Sequence, residues 1–235
     1  MYREMRTLAV IPARGGSKGI PRKNLATVGG ISLIAHAAAL VADLEWLDRA
    51  VLSTDDKEIA AEASNCGLAV IDRPADLATD HASNVAVWKH AWLESEKRWG
   101  TQYELSVLLQ PTSPLREPRD VTACVKVLMD ENRHAAITVS PTPGHFTPEK
   151  MVVVEDGNVT PYLEDRFEST RQRIRNYYFL NGYCYAARRD RIVAEERVHG
   201  ENVGYVVIDR PVVNIDDPFE LELANWLRER ADDSN

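Results

Sequence analysis

The segment AVIPARGGSKGIPRKN, residues 9–24, begins as a short apolar strand and continues as a basic loop. Between residues 14 and 24 it holds four cations, three glycines and one proline, with no acid. Glycines let backbone N–H groups approach an anion closely, and lysine and arginine neutralise that anion. The segment therefore predicts an anion site directly after a buried strand; the alternative is an exposed loop that happens to be basic.

The bulk composition limits the class of protein. The chain has 235 residues, of which 44% are hydrophobic, which suits one large domain or a domain with a small appendage. The formal net charge of −8 argues against nucleic acid or an anionic membrane as a partner, because both select a basic surface. No apolar run approaches the roughly 18 residues that span a bilayer, and the N-terminus does not look like a signal peptide.

The three cysteines, Cys66, Cys124 and Cys184, lie far apart in the sequence. An odd, scattered count is typical of reduced, buried thiols in a cytoplasm. We therefore expect a cytoplasmic protein.

Short apolar strands alternate with helical segments up to about residue 141. This alternation predicts an α/β fold, with a mostly parallel sheet covered by helices on both faces. Ligands bind beyond the carboxyl ends of such strands, so the loops after Pro12, Thr54, Ile71 and Leu109 are expected on one rim. The basic loop matches neither the Walker pattern nor G-x-G-x-x-G, which argues against the usual ATPase and dinucleotide sites.

Residues 141–181 break the alternation, because they are rich in proline, charge and aromatic side chains. Within them, KMVVVEDGNVTPYL (150–163) predicts a hairpin whose turn is Asp156 and Gly157. The segment is too long and too aromatic for a simple connection, so we expect an insertion or arm.

Six stretches together resemble the acylneuraminate cytidylyltransferases, the CMP-sialic acid synthetases and their relatives. They are IPARGGSKGIPRKNL (11–25), STDD (53–56), RPADLATDHASN (73–84), LLQPTSPLR (108–116), NGYCYA (181–186) and NIDDPFELELA (214–224). The resemblance covers nearly the whole chain. It implies one nucleotidyltransferase domain over residues 1–235, with a Rossmann-like nucleotide-diphospho-sugar transferase fold. It also implies a dimerisation arm at about 141–181 and a homodimer.

The resemblance also implies a reaction and a set of site residues. CTP and a nine-carbon 2-keto sugar acid would react with Mg²⁺ to give a CMP-sugar and pyrophosphate. Catalytic roles would fall to Arg14, Lys23 and Asp216, and metal binding to Asp216 and Asn214. Independently of the resemblance, the length and composition of residues 141–181 lead us to expect that this arm lends Arg171, with Lys150, to the sugar site of a second subunit. Substrate-binding roles would fall to Lys18, Asn24, Arg73, Asp76, Ser83, Gln110, Arg116, Arg171, Gln172 and Asn181.

The NIDD stretch, residues 214–217, is the candidate metal site. In an extended chain residues i and i+2 face the same side, so Asn214 and Asp216 are expected to point together and Asp217 away. The family typically has aspartate at the first position, and an amide binds Mg²⁺ less well than a carboxylate does. The alternative is that Asp216 only caps the following helix. For STDD we favour a helix cap made by Asp55.

Other residues also have structural alternatives. Arg73 could be an ordinary cation at a strand end, and Gln110 could tie a loop to a strand. The stripe of Trp88, Trp92 and Trp99 is expected to be core.

Two other functions stay open. One is nucleotidyl transfer from another nucleotide such as GTP, or to a related sugar. The other is nucleotide binding without turnover, because Asn214 replaces a carboxylate.

Aromatic Phe179, where some relatives carry arginine, points towards a diacetamido nonulosonate.

Overall fold

The computed structural model describes residue 2 and residues 4–164 and 175–232. Its helices are α1 Leu33–Ala42, α2 Lys57–Asn65, α3 Asn84–Trp99, α4 Pro118–Asp130, α5 Arg189–Val193 and α6 Pro218–Asp232. Its strands are β1 Thr7–Pro12, β2 Thr27–Val28, β3 Ile31–Ser32, β4 Arg49–Thr54, β5 Ala69–Asp72, β6 Leu105–Leu108, β7 Ala135–Pro141, β8 Val152–Glu155, β9 Asn158–Pro161, β10 Tyr178–Arg188 and β11 Val203–Val207.

Seven strands form the main sheet in the order β11-β7-β10-β6-β1-β4-β5. β10 runs antiparallel to both of its neighbours, and the other paired strands are parallel. β1 lies inside the sheet, with Val10 opposite Val51 on one side and Leu108 on the other. The loop after β1 therefore leaves from the middle of the rim, and the predicted α/β fold with a mostly parallel sheet is confirmed.

Hydrophobic cores lie on both faces of the sheet because successive strand side chains point to opposite sides. Ala9 and Ile11 of β1 pack with α1, α2 and α4 on one face. Leu8 and Val10 pack with α3 and α5 on the other face. Trp88 and Trp92 are fully buried in this second core and Trp99 packs against it, so the prediction of a structural tryptophan stripe is confirmed.

The helix starts follow local capping chemistry. Ser32 caps α1 and Ser83 caps α3, each accepting a hydrogen bond from a first-turn N–H. Asp56 caps α2, because its carboxylate accepts from the N–H groups of Glu58 and Ile59. The expected cap at Asp55 is therefore wrong by one residue.

The hairpin predicted in the 141–181 segment is present as β8 and β9, which pair antiparallel. Asp156 and Gly157 form its turn with φ values of 51° and 76°, the positive pair that a tight two-residue hairpin turn requires. Among the described helices, none combines the length and apolarity needed to cross a membrane.

Candidate active site

A cavity of about 330 Å³ opens at the carboxyl ends of β1, β5 and β6. The loops after these strands meet there, joined by the segment that precedes α6. The fourth loop expected on this rim, after β4, supplies Asp55, whose carboxylate accepts from the N–H of Gly15 at 3.0 Å. The cavity is lined by Pro12, Arg14, Lys23, Asn24, Arg73, Leu77, Thr79, Asp80, Ala82, Asn84, Val87, Gln110, Pro111, Thr112, Asn214 and Asp216.

The basic loop, residues 14–24, pairs its cations with acids from other parts of the chain. Arg14 and Lys18 each bind Asp80, and both N–O distances are 2.7 Å. Lys23 binds Asp216, also at 2.7 Å. Arg14 and Lys23 line the cavity, whereas Lys18 lies outside its lining with a side chain that is 84% exposed. The site's positive charge is therefore offset by carboxylates that lie within it.

Arg22 is the fourth cation of the basic loop, and it faces away from the cavity. Its backbone is left-handed with a φ of 56°, and its guanidinium binds Glu58 in the first turn of α2 at 2.5 Å. Arg22 is therefore a natural control for Lys23, its neighbour in the sequence, because the two cations belong to the same loop and only Lys23 lines the cavity.

Glycine at position 19 is required by a close approach of two chain segments. A Cβ added to Gly19 would lie 2.0 Å from the backbone oxygen of Asp216, which no side chain allows. Gly19 therefore lets the NIDD segment pack directly against the basic loop, and this contact brings Asp216 within reach of Lys23.

Two further predicted residues form the inner wall of the cavity. Asn24 is buried, and its Nδ2 donates to the backbone oxygen of Arg14 at 2.9 Å. Arg73 is buried and donates to both the hydroxyl and the backbone oxygen of Ser53. Burial lowers the pKa of Arg73 to about 10, so the guanidinium stays charged at neutral pH. Arg73 is therefore anchored to β4 while it lines the cavity.

The NIDD segment has the alternation that an extended chain requires. Asn214 and Asp216 line the cavity, and Ile215 between them is fully buried. Asp217 points to α6, where it accepts from the N–H of Glu220 at 2.9 Å, and Glu220 accepts from the N–H of Asp216 and of Asp217. Asp217 and Glu220 thus make the cap of α6, and the reading of Asp216 as that cap is wrong.

The donor atoms at this segment fit a magnesium ion that brings other ligands with it. Asp216 offers a carboxylate, and Asn214 Oδ1 already accepts from the Thr112 hydroxyl at 2.6 Å. Within the described residues no group of three or more His, Cys, Asp or Glu side chains could hold a metal. Mg²⁺ commonly binds through one or two carboxylates plus substrate phosphates and water, so the residues present are compatible with the expected ion.

Several residues predicted to bind substrate lie outside the cavity lining. Asp76 is exposed in the short 3₁₀ helix Ala75–Leu77, and Ser83 caps α3, where its hydroxyl accepts from the N–H of Ala86. Arg171 and Gln172 lie outside the described residues. The cavity wall near Ser83 is instead made by Asn84 and Asp80, which the sequence analysis did not single out although both belong to the RPADLATDHASN stretch.

Arg116 and Asn181 belong to a buried network beside the cavity rather than to its wall. Arg116 donates to the backbone oxygens of Tyr183 and Gln110, and burial lowers its pKa to about 10. Asn181 bonds the hydroxyls of Thr138 and Ser140. Their bonds hold β10 and the loop after β6 in place. Gln110 lines the cavity next to this network.

Comparison with known proteins agrees with the sequence resemblance. A family model described as Cytidylyltransferase matches residues 8–191. The chain is 31% identical to the CMP-N,N'-diacetyllegionaminic acid synthase of Legionella pneumophila, with 96% of this chain and 97% of that protein covered. It is 28% identical to the Pseudaminic acid cytidylyltransferase of Campylobacter jejuni, with 95% and 96% covered.

The fold is also found among solved structures. The structure of CMP:2-keto-3-deoxy-manno-octonic acid synthetase complexed with CTP superposes with a TM-score of 0.74, covering 96% of this chain and 99% of that one at 19% identity. At this identity the likeness concerns the fold, and it confirms the predicted nucleotide-sugar transferase architecture. Because the family model matches more than three quarters of the sequence, from β1 to α5, the chain belongs to the cytidylyltransferase family.

Proposed function

We propose that this enzyme transfers CMP from CTP to the anomeric hydroxyl of a nonulosonic, sialic-acid-like 2-keto sugar acid and releases pyrophosphate. The named relatives act in CMP-legionaminic acid synthesis and on pseudaminic acid, and the structural neighbour holds CTP. The single observation that carries the proposal is the cavity at the carboxyl end of β1, which Arg14 and Lys23 of the basic loop line together with Asp216, the partner of Lys23.

The chemistry requires positioning and charge neutralisation more than covalent work by the protein. The sugar hydroxyl attacks the α-phosphorus of CTP, a new P–O bond forms, the bond to pyrophosphate breaks, and the hydroxyl proton is released to water. Arg14 and Lys23 stabilise the negative charge that develops on the leaving pyrophosphate. Arg73, held against β4 by Ser53, lines the same cavity and would contact the base and ribose region of the nucleotide. Gln110 faces the sugar acid.

Mg²⁺ is the cofactor in this proposal. Asp216 would hold it, with Asn214 as a weaker neutral ligand, and the ion would supply electrophilic polarisation of the phosphate. In this structure Lys23 Nζ lies 2.7 Å from Oδ1 of Asp216 and forms an ion pair with that carboxylate. Lys23 would therefore turn from Asp216 to the phosphate when the metal and nucleotide arrive, which leaves the carboxylate free for the ion.

A diacetamido nonulosonate is the favoured sugar acid, and the legionaminic acid relative supports it. Phe179, which suggested the same sugar class, lies on β10 outside the cavity lining and is exposed. Its contribution would then come through a second subunit or through the arm.

We also propose a cytoplasmic homodimer. Large apolar side chains stay exposed near the end of the sheet where β10 and β11 flank β7, among them Tyr178, Leu180, Tyr205 and Val207. In the proposed dimer, Lys150 of one chain would act at the sugar site of the other, and so would Arg171, which lies outside the described residues. The three free cysteines fit a reducing compartment. Light scattering at micromolar concentration tests the dimer, and a fully active monomer would contradict it.

A coupled assay of pyrophosphate release tests the reaction. CTP with N-acetylneuraminic, legionaminic and pseudaminic acids should give turnover with at least one sugar acid, and GTP should give none. Turnover with GTP in preference to CTP would favour the other-nucleotide alternative. CTP binding in calorimetry with no pyrophosphate from any sugar acid would favour a binding protein without turnover.

A further inference from the structure

The carboxylate of Asp80 has a geometry that neither the fold nor the proposed reaction explains. Its two oxygens lie 2.7 Å from Arg14 Nη2 and 2.7 Å from Lys18 Nζ, so one carboxylate bridges two cations of the basic loop. Asp80 comes from a different part of the chain, the loop between β5 and α3, and it lines the same cavity as Arg14. A negatively charged group with two acceptor oxygens between two cations has the arrangement that a phosphate would take.

The contact is built from groups that can separate. Asp80 and Arg14 are both partly exposed and Lys18 is mostly exposed, so no buried charge is stranded when the bonds break. Hydrogen bonds from Lys18 and then Arg14 lower the pKa of Asp80, which keeps it ionised at neutral pH. Surface ion pairs of this kind are weak, whereas a triphosphate offers several strong acceptors to the same cations.

We propose that Asp80 is an intramolecular substitute for a phosphate group, so that triphosphate binding is an exchange of anions at Arg14 and Lys18. The inference rests on the proposed function. Asp80 is a positioning residue: before the nucleotide binds it holds both cations in place and offsets one of their two positive charges, and it withdraws when the triphosphate binds. Competition from Asp80 therefore lowers the affinity for the nucleotide and speeds release of pyrophosphate.

The test is calorimetric titration with inorganic tripolyphosphate, which has no base, sugar or turnover. Asp80→Asn should bind about fivefold more tightly than the unchanged chain, because two partly exposed ion pairs no longer compete. Glu58→Gln is the matched control, since it releases Arg22 of the same loop, which does not line the cavity. Glu58→Gln should change the affinity for tripolyphosphate by less than a factor of about 1.5, because it leaves the ion pairs of Asp80 intact.

A second experiment separates the effect of the Asp80 ion pairs from the effect of a change in net charge. In a Lys18→Ala background the gain from Asp80→Asn should shrink to about twofold, because one of the two competing bonds is already gone. With CTP as substrate, Asp80→Asn should lower KM, and it should slow the release of pyrophosphate. Asp80→Ser provides a second variant that lacks both carboxylate oxygens, and circular dichroism checks the fold of each.

Three results would overturn the inference. They are weaker or equal tripolyphosphate binding by Asp80→Asn and Asp80→Ser, an equal gain in Glu58→Gln, and an undiminished gain in the Lys18→Ala background. If the unchanged chain binds neither tripolyphosphate nor CTP, the proposed function fails, and the inference fails with it.

Discussion

Two polar regions lie side by side near the carboxyl ends of the central strands, and they differ in the partners of their side chains. In the cavity, Arg14 and Lys23 bind carboxylates from distant loops, and both carboxylates are accessible. In the buried network, Arg116 donates to backbone oxygens and Asn181 to a hydroxyl that is itself buried. The cations paired with accessible carboxylates line the cavity, whereas Arg116 and Asn181, whose partners belong to the folded core, stabilise the structure beside it.

The largest effect is expected at Lys23, on the cavity side of this comparison. Lys23→Ala should leave folding intact and lower kcat/KM by about 100-fold or more, because an oriented cation on a developing phosphate charge is worth roughly 3 kcal/mol. Arg22→Ala is the control, since Arg22 belongs to the same loop but binds Glu58 outside the cavity. Steady-state pyrophosphate release measures both, and Lys23→Ala within about threefold of the unchanged enzyme would contradict the assignment.

The next effect is on stability, in the buried network. Asn181→Ala removes an acceptor for Thr138 and for the Tyr183 N–H, and a donor to Ser140. The free energy of unfolding should fall by about 2 kcal/mol, because buried polar groups lose their partners. Asn158→Ala in the exposed hairpin should change it by less than about 0.5 kcal/mol. Urea titration compares the two variants. Equal losses of unfolding free energy would contradict the assignment of Asn181 to a stabilising buried network.

Gly182 joins the two regions and should give an intermediate effect. Its φ of 74° and that of Gly157, 76°, are nearly the same, yet an added Cβ would lie 3.2 Å from Gln110 Oε1 at Gly182 and meet nothing within 4 Å at Gly157. Both alanine variants should lose about 1 kcal/mol of unfolding free energy to backbone strain. Only Gly182→Ala should also raise KM for the sugar acid, because it displaces Gln110. An unchanged KM would exclude Gln110 from that site.

The smallest effect is expected at the metal. Asn214→Asp should lower the Mg²⁺ concentration for half-maximal activity by about threefold, because carboxylates bind this cation better than amides do. Asn84→Asp adds the same charge to another wall of the cavity and should leave the requirement unchanged. Calorimetry with Mn²⁺ and CTP gives a readout apart from turnover. An unchanged requirement in Asn214→Asp would show that Asn214 does not face the ion.

Local patterns predicted the fold well because they depend on neighbouring residues. Apolar segments of strand and helix length, ended by proline, glycine and caps, predicted the parallel sheet with helices on both faces. The same kind of information predicted the hairpin turn at Asp156 and Gly157 and the shared side of Asn214 and Asp216. The cap of α2 was misplaced from Asp56 to Asp55 because two adjacent aspartates are equivalent in sequence, and backbone angles choose between them.

The sequence by itself determined that a basic, glycine-rich loop follows a buried strand and that an acidic segment precedes the last helix. Only the tertiary structure decided which charges meet. Arg14 and Asp80 are 66 residues apart, and Lys23 and Asp216 are 193 apart. It also placed Arg116 and Asn181 inside the protein, although their sequence motifs suggested a site. The reason is physical: periodicity and capping act over one turn of chain, whereas a charged side chain takes its partner from whatever segment the packed core brings beside it.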